Sequence, residues 1–322
     1  MAKEPIPSTA LIPVRGKLVF WARRSRPLKF MGGFHSFPGG KIDPEDTQIP
    51  VDDLESTAEA SHVVSVIREL FEETGWLCAP GIHHDGSLEA DRQALLAGAI
   101  SFKDILQHHG LRLSGRGIMP AGTWVTPKFQ KIRFASYYFM MEVPPEAEFR
   151  LNPREHDEGG WIDPALALSL WDQGRVTLPP PVVYTLQCLA QSPSPASALE
   201  KLRRPPQIYG MPGKRIEFRK GIQILPLKSD TLPPAEHTNL HIVGHKKLFL
   251  IDPATTYEED RNLLLDYLDH LKADGMQPHR ILLTHQHHDH SSAARWLRDT
   301  FKIPVAASAI TNTLLSPTCP VD

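Results

Sequence analysis

The 322-residue chain is long enough for two domains, and 41% hydrophobic with 22% charged residues is ordinary globular composition, which excludes a disordered chain, a collagen and a coiled coil. Lys+Arg 35 against Asp+Glu 37 leaves a formal charge of −2, so charge makes no case for a nucleic-acid partner. The 30 prolines are nearly twice the usual share of ~5% and predict many turns and long connections.

Met1 to Pro13 is broken by three prolines and lacks the apolar core of a signal peptide. Thr9 to Ala22 reads as a strand pair around the turn Arg15-Gly16-Lys17. A loop rich in Arg, Pro and Gly runs to Gly40, and Thr47 to Glu55 reads as an acidic surface loop. Val63, Val64, Ile67, Leu70 and Phe71 predict a helix from about Ser56 to Thr74, with Gly75 as its left-handed cap. Asp91 to Leu111 suggests further helix, Phe134 to Val143 a strand, and the run after Pro179-Pro180-Pro181 another helix to Leu189. Gln191 to Pro195 is a composition break, which places a first domain at 1–192 and a linker at 193–214. From 215 the pattern changes. It predicts strands at Ile222 to Leu227, Leu240 to Val243, Leu248 to Ile251, Arg280 to Leu283 and Pro304 to Ala307. Helices are predicted at Tyr257 to Ala273 and Ser291 to Thr300.

Cys78, Cys188 and Cys319 are far apart, form no metal pair or disulfide framework, and fit a reducing compartment. No apolar run reaches the ~18 residues of a membrane span, so no membrane association and a cytoplasmic location are expected.

The chemistry concentrates in two places. The first is Arg68-Glu69-Leu70-Phe71-Glu72-Glu73-Thr74-Gly75-Trp76. Glu69, Glu72 and Glu73 fall on one helical face within about one turn, where their mutual repulsion calls for a counter-charge. On their own, three such glutamates are usually a solvated acidic face. With Phe37-Pro38-Gly39-Gly40 upstream, they suit Mg²⁺ or Mn²⁺ beside a tight glycine turn and a diphosphate.

Gly40 through Trp76 resembles the Nudix box, and matches it at every specified position from Arg68 to Trp76. Asp46 stands where the pattern has Glu, and the 21 residues 47–67 stand where it has seven, an insertion placed at about 47–60. The resemblance implies an α/β/α sandwich with a mixed sheet. It implies metal-dependent hydrolysis of a nucleoside diphosphate linked to a moiety X, with Glu69, Glu72 and Glu73 as metal ligands and Arg68 holding them. Asp46 is left as ligand or orienter. Glu155 and Glu158 are candidates for the general base by position, beside the plain reading of a charged loop.

Arg24-Ser25, Lys29, Gly33 and Phe37-Pro38-Gly39-Gly40 resemble the segment before the box in Nudix coenzyme A diphosphatases. There Arg24, Lys29, Gly39 and Gly40 would bind substrate, and a solvated basic loop is the alternative for the two cations. Trp124-Val125-Thr126-Pro127, Arg133-Phe134 and the insertion resemble the eukaryotic peroxisomal branch of these enzymes. No Ser-Lys-Leu tail is present, so a peroxisomal address is not expected.

The second place is His285-Gln286-His287-His288-Asp289-His290, directly after the apolar strand Ile281-Leu282-Leu283. Clustered imidazoles and a carboxylate at a strand end are good zinc donors, although a histidine tract can also be a surface feature. The string resembles the His-x-His-x-Asp-His motif of the metallo-β-lactamase superfamily. The preceding Thr231 to Pro234, His237-Thr238-Asn239 and Leu250 to Pro253 agree with it. The resemblance implies His285, His287, Asp289 and His290 as ligands. Its further ligands come later in the fold, and here only Asp299 and Asp322, with no histidine, follow His290. Residues 215–322 are therefore expected to form a partial αββα unit with an incomplete zinc site, prone to self-association. Two alternatives stay open: a zinc-dependent, thioesterase-like hydrolase, and a non-catalytic Nudix-fold binding protein.

Overall fold

A computed structural model describes residues 4–54, 59–126, 132–203 and 216–315. It divides into two compact units, Met1–Pro206 and Gln207–Asp322. The helix start expected at Ser56, Pro127, the stretch from Ile208 to Arg215 and Cys319 lie outside the described residues.

The first unit begins with the expected hairpin, β1 (Ile6–Arg15) and β2 (Leu18–Arg24), closed by Gly16 at a φ of 59°. There follow β3 (His35–Ser36), β4 (Val51–Asp52), α1 (Ala60–Thr74), α2 (Gly86–Leu96) and α3 (Phe102–His108). Then come β5 (Leu113–Ser114), β6 (Met119–Val125), β7 (Phe134–Glu142), β8 (His156–Ile162), α4 (Pro164–Asp172), α5 (Pro180–Gln191) and α6 (Pro195–Arg203). Among the described residues, one sheet runs β3-β2-β1-β7-β6, with β8 also paired to β2. β1 and β7 are parallel from Ile6↔Phe134 to Val14↔Glu142, and the other pairings are antiparallel, so the sheet is mixed.

The period-2 alternation of β1 explains the sandwich. Leu11 points with Phe139 and Met141 into a core shared with α1, α2 and α3. Ala10, Ile12 and Val14 point with Tyr138 and Met140 into a second core under α4, α5 and α6. Helices therefore cover both faces.

Three segments differ from the sequence expectation. Asp91 to Leu111 is two helices: Asp85 caps α2, Gly98 breaks the chain at a φ of 69°, and a Ser101–Asp104 capping box starts α3. The acidic insertion is not a plain surface loop. A 3-10 turn at Pro44–Gln48 and β4, parallel to β5, carry it, because Ile49 packs into the first core and Val51 lies against it. The start of the expected linker is helical. Pro195 opens α6 after Ser194, and Ala198, Leu199 and Leu202, at helical spacing, reach the second core.

The second unit contains β9 (Ile216–Arg219), β10 (Ile222–Lys228), β11 (His237–Val243), β12 (Lys247–Ile251) and α7 (Glu258–Ala273). After these come β13 (Gln277–Leu283), α8 (His288–Ser291), α9 (Ala294–Phe301), β14 (Val305–Ala307) and α10 (Ala309–Leu315). The sheet order is β14-β13-β12-β11-β10-β9, antiparallel from β9 to β12 and parallel from β12 to β14. Alternate residues such as Leu225, Leu240, Leu250 and Ile281 pack against Leu264 and Leu268 of α7 and Leu297 of α9. Their neighbours Ile224, His241, Phe249 and Leu282 on the other face are half-buried. Among the described residues this is one mixed sheet under one helical layer.

Candidate active site

The last two turns of α1 carry the carboxylates, and Arg68 organises them. Its Nε and Nη2 each donate to Asp46 at 2.9 Å, and its Nη1 donates to Glu69 at 2.9 Å and Glu72 at 3.1 Å. Nη2 also reaches the Lys41 carbonyl at 2.8 Å. One planar fork thus ties the helix to the loop before it, a geometry lysine cannot reproduce. Burial works against the Arg68 charge, but the Asp46 hydrogen bonds and the charges of Glu69, Asp46 and Glu72 outweigh it and hold the guanidinium more firmly protonated than usual. The Asp46 oxygens are taken by Arg68 and by the Asp43 N–H at 2.8 Å. Asp46 is therefore an anchor for Arg68, the orienter of the two roles left open.

The glycine turn sits directly on this face. A side chain at Gly40 would collide with the Glu69 carboxylate, and one at Gly39 with the Thr9 carbonyl of β1. Close approach to the β1 backbone requires Gly39, and a side chain at Gly40 would displace the Glu69 carboxylate.

Burial is the main force on the glutamates. The Glu69, Glu72 and Glu73 side chains are 13%, 21% and 2% exposed. Desolvation pushes Glu69 up to about 8, with Arg68 opposing and Glu72 adding to the rise. Glu72 is raised by burial, against Arg68, and Glu73 is raised well above the usual carboxylate range by burial and then by Glu69 and Glu155.

A second segment closes the site. The Arg150 N–H donates to the Thr74 carbonyl at 2.7 Å, and the Asn152 N–H to the Glu73 carbonyl at 2.8 Å. The Asn152 carbonyl in turn accepts from the N–H groups of Glu155 at 3.1 Å and His156 at 2.9 Å. This clamp brings donor atoms of Glu73, Glu155 and His156 within 4.8 Å of one another. Burial, then the Arg24 charge, lowers His156 to about 4. Glu158 is turned elsewhere, to Arg23 at 3.1 Å and His35 at 3.0 Å. Of the two base candidates, Glu155 is the one beside the glutamates. Arg24, at the end of β2, donates from Nε to the Phe30 carbonyl at 3.3 Å, and its charge acts on Glu73 and His156. Lys29 is exposed in the β2–β3 loop.

The donor set fits a hard divalent cation. Oε2 of Glu73 is buried without a hydrogen-bond partner, among like charges, and such an oxygen gains most from a cation.

In the second unit, the imidazoles follow β13. The His285 and His290 rings are 4.2 Å apart, and those of His285 and His287 are 4.8 Å apart. His290 Nε2 lies 3.9 Å from Asp289. Asp252, just after β12, joins them: its Oδ2 is 3.2 Å from His290 Nδ1, and it accepts from the Thr284 hydroxyl at 2.6 Å and the Thr284 N–H at 2.8 Å. Asp252, His285 and His290 offer donor atoms within 4.8 Å of one another. The Thr238 hydroxyl donates to the Asp289 carbonyl at 2.7 Å and fixes the loop. Asp252 falls within the Leu250 to Pro253 segment of the sequence analysis, which does not mark it as a donor. Its signal is an acid at the end of an apolar strand beside the strand that carries the histidines.

Residues 234–317 match the family model of the metallo-beta-lactamase superfamily. Over 173 residues the chain is 27% identical to putative nudix hydrolase 7 of Caenorhabditis elegans, covering 54% of this chain and 56% of that protein. The chain thus spans little more than half the length of this curated relative. A solved NUDIX hydrolase from Alicyclobacillus acidocaldarius is similar at a TM-score of 0.56 and 24% identity, over 63% of this chain and 99% of its own. The DIM-1 metallo-beta-lactamase is 20% identical over 33% of this chain and 47% of its own, with a TM-score of 0.28. The first unit has the Nudix fold and a Nudix hydrolase relative. The second carries the metallo-β-lactamase superfamily segment. No helix among the described residues is long and apolar enough to cross a membrane.

Proposed function

We propose that the first unit is a metal-dependent hydrolase of a nucleoside diphosphate linked to a moiety X, with coenzyme A or acyl-coenzyme A as the candidate substrate. The observation that carries this is the buried carboxylate face: Glu69, Glu72 and Glu73 on one helix, with the loop donor Glu155 beside Glu73 and one oxygen left unpartnered. Glu69, Glu72 and Glu73 would hold the ions, Mg²⁺ or Mn²⁺, which supply neutralisation of the diphosphate and activation of water. Arg68 keeps the carboxylates aimed. Glu155, beside Glu73, would take the proton of the attacking water as a new bond from its oxygen to phosphorus forms and the bond from phosphorus to the bridging oxygen breaks. Arg24 offers a cation to a substrate phosphate. A cleft of about 640 Å³ beside Glu72 and Arg68, lined by Asp43, Ile49, Phe102 and Asp104 among others, leaves room for X.

The test is turnover of coenzyme A, acyl-coenzyme A, ADP-ribose and NADH with Mg²⁺ or Mn²⁺, read by product mass. A phosphopantetheine species with an adenosine bisphosphate supports the coenzyme A reading. Turnover of ADP-ribose or NADH alone keeps the diphosphatase and removes coenzyme A. No turnover of any of them counts against the enzyme and favours a binding protein.

A second reading concerns the second unit: it binds zinc through His285, His287, Asp289 and His290, with Asp252 alongside. The convergence of Asp252, His285 and His290 favours it. Zinc counted per chain after dialysis tests it, and none retained would overturn it.

A further inference from the structure

We infer that His156 is a nitrogen donor to a divalent ion held by Glu73, so that this site takes a transition ion such as Mn²⁺ in preference to Mg²⁺. The inference rests on the proposed carboxylate site and adds a ligand that its box does not contain.

Buried histidines are normally hydrogen-bonded, because a neutral imidazole carries one N–H and one lone pair that water no longer satisfies. His156 breaks that rule at both ends. Its side chain is 1% exposed, and neither Nδ1 nor Nε2 has a hydrogen-bond partner. Glu73 Oε2, itself buried and unpartnered, lies 3.8 Å from Nε2. That distance is too long for a hydrogen bond. It suits two donors that would close on one ion: bonds of about 2.0–2.2 Å put neighbouring ligands roughly 3–3.5 Å apart, so the spacing would shorten by about 0.3–0.8 Å on binding. Glu155 completes the trio within 4.8 Å.

The backbone makes the placement rigid. The Asn152 carbonyl accepts the His156 N–H at 2.9 Å, and the Asn152 N–H holds the Glu73 carbonyl at 2.8 Å. His156 is also the first residue of β8 and pairs with Arg24 of β2 just past an irregularity in the β2–β8 ladder. Chance burial of an imidazole beside a lone carboxylate oxygen would leave three polar atoms unpaired, each desolvated without compensation. One shared ion removes most of that penalty. An imidazole nitrogen adds more to the binding of Mn²⁺ than of Mg²⁺, which prefers oxygen and water, and more again to later first-row ions.

The experiment uses the full chain without substrate, loaded with Mn²⁺ alone. Electron spin-echo modulation reads ¹⁴N coupled to the ion, and competition with Mg²⁺ reads preference. His156→Gln and Glu73→Gln are run in parallel. The inference expects ¹⁴N modulation in the parent that is lost from the Glu73-dependent ion in both variants. It also expects the Mn²⁺ over Mg²⁺ preference to fall roughly tenfold in His156→Gln. Glu73-dependent Mn²⁺ without nitrogen coupling, as a bridging water would give, overturns the inference and leaves the proposed function standing. Mn²⁺ binding indifferent to Glu73 overturns both. If His156→Gln does not fold, the parent spectrum against Glu73→Gln still decides.

Discussion

The two donor clusters of this chain are held in opposite ways. Around Glu73 the side chains are buried and reached from three segments: α1, the loop carrying Asp46, and the turn before β8. Around His285 the donors sit on the turn after β13 and on the short α8 that follows it, half-exposed or exposed, with Asp252, just after β12, as the contact from another strand. The difference is one of desolvation. Exposed imidazoles lose little to water's absence and persist with or without an ion. Buried carboxylates carry a standing penalty that Arg68 offsets only in part. Metal removal should therefore strain the first unit and leave the fold of the second nearly unchanged.

The largest effect expected from breaking the contrast is on turnover. Glu72→Gln and Glu73→Gln should remove metal-dependent diphosphate hydrolysis, and Glu155→Gln should lower kcat by about 10²-fold or more with the fold intact by circular dichroism. Next comes stability. Arg68→Met leaves Asp46 buried and unpaired, a loss of about 3–5 kcal/mol read by urea denaturation. A loss below about 1 kcal/mol would mean that Arg68 is not the organiser of this face. Smaller is the pH response. Glu69 rises to about 8 in the folded chain, so above its unfolded value the unfolded state ionises first and binds fewer protons. Metal-free stability should thus fall as pH rises towards 8. The lowered His156 acts oppositely, losing stability as pH falls from about 6.5 to about 4, so the window from 6.5 to 8 isolates the carboxylates. Melting temperatures there should decline without metal and level off with Mn²⁺. A flat metal-free profile would count against the burial account. Smallest, His285→Ala with His287→Ala should lower zinc per chain by one, whereas Glu73→Gln should keep it.

Much of this architecture was legible in order. The spacing of Val63, Val64, Ile67, Leu70 and Phe71 gave α1, and Gly75 its end, because amphipathic period and cap chemistry are local. Arg68 with its glutamates was equally visible. Asp46 and Arg68 lie 22 positions apart, so their bidentate pairing needed the fold. Glu155 and Glu158 could not be separated beforehand, because the turn at Asn152 holds the first beside α1 while β8 pairing puts the second against Arg23 and His35. β8 itself was hidden, since His156-Asp157-Glu158-Gly159-Gly160 lacks apolar alternation. His156 and Asp252 were missed as donors for the same reason: each is unremarkable in sequence and acquires its role from a partner on another element.

The central claim is that water attacks phosphorus at the Glu73 face. Turnover of the best substrate in ¹⁸O-water, with Mn²⁺ and product mass, tests it directly, with Glu73→Gln run alongside. The account predicts one ¹⁸O in a single phosphate-bearing product and no turnover in the variant. Turnover unchanged by Glu73→Gln, or ¹⁸O absent from both phosphates, would contradict it.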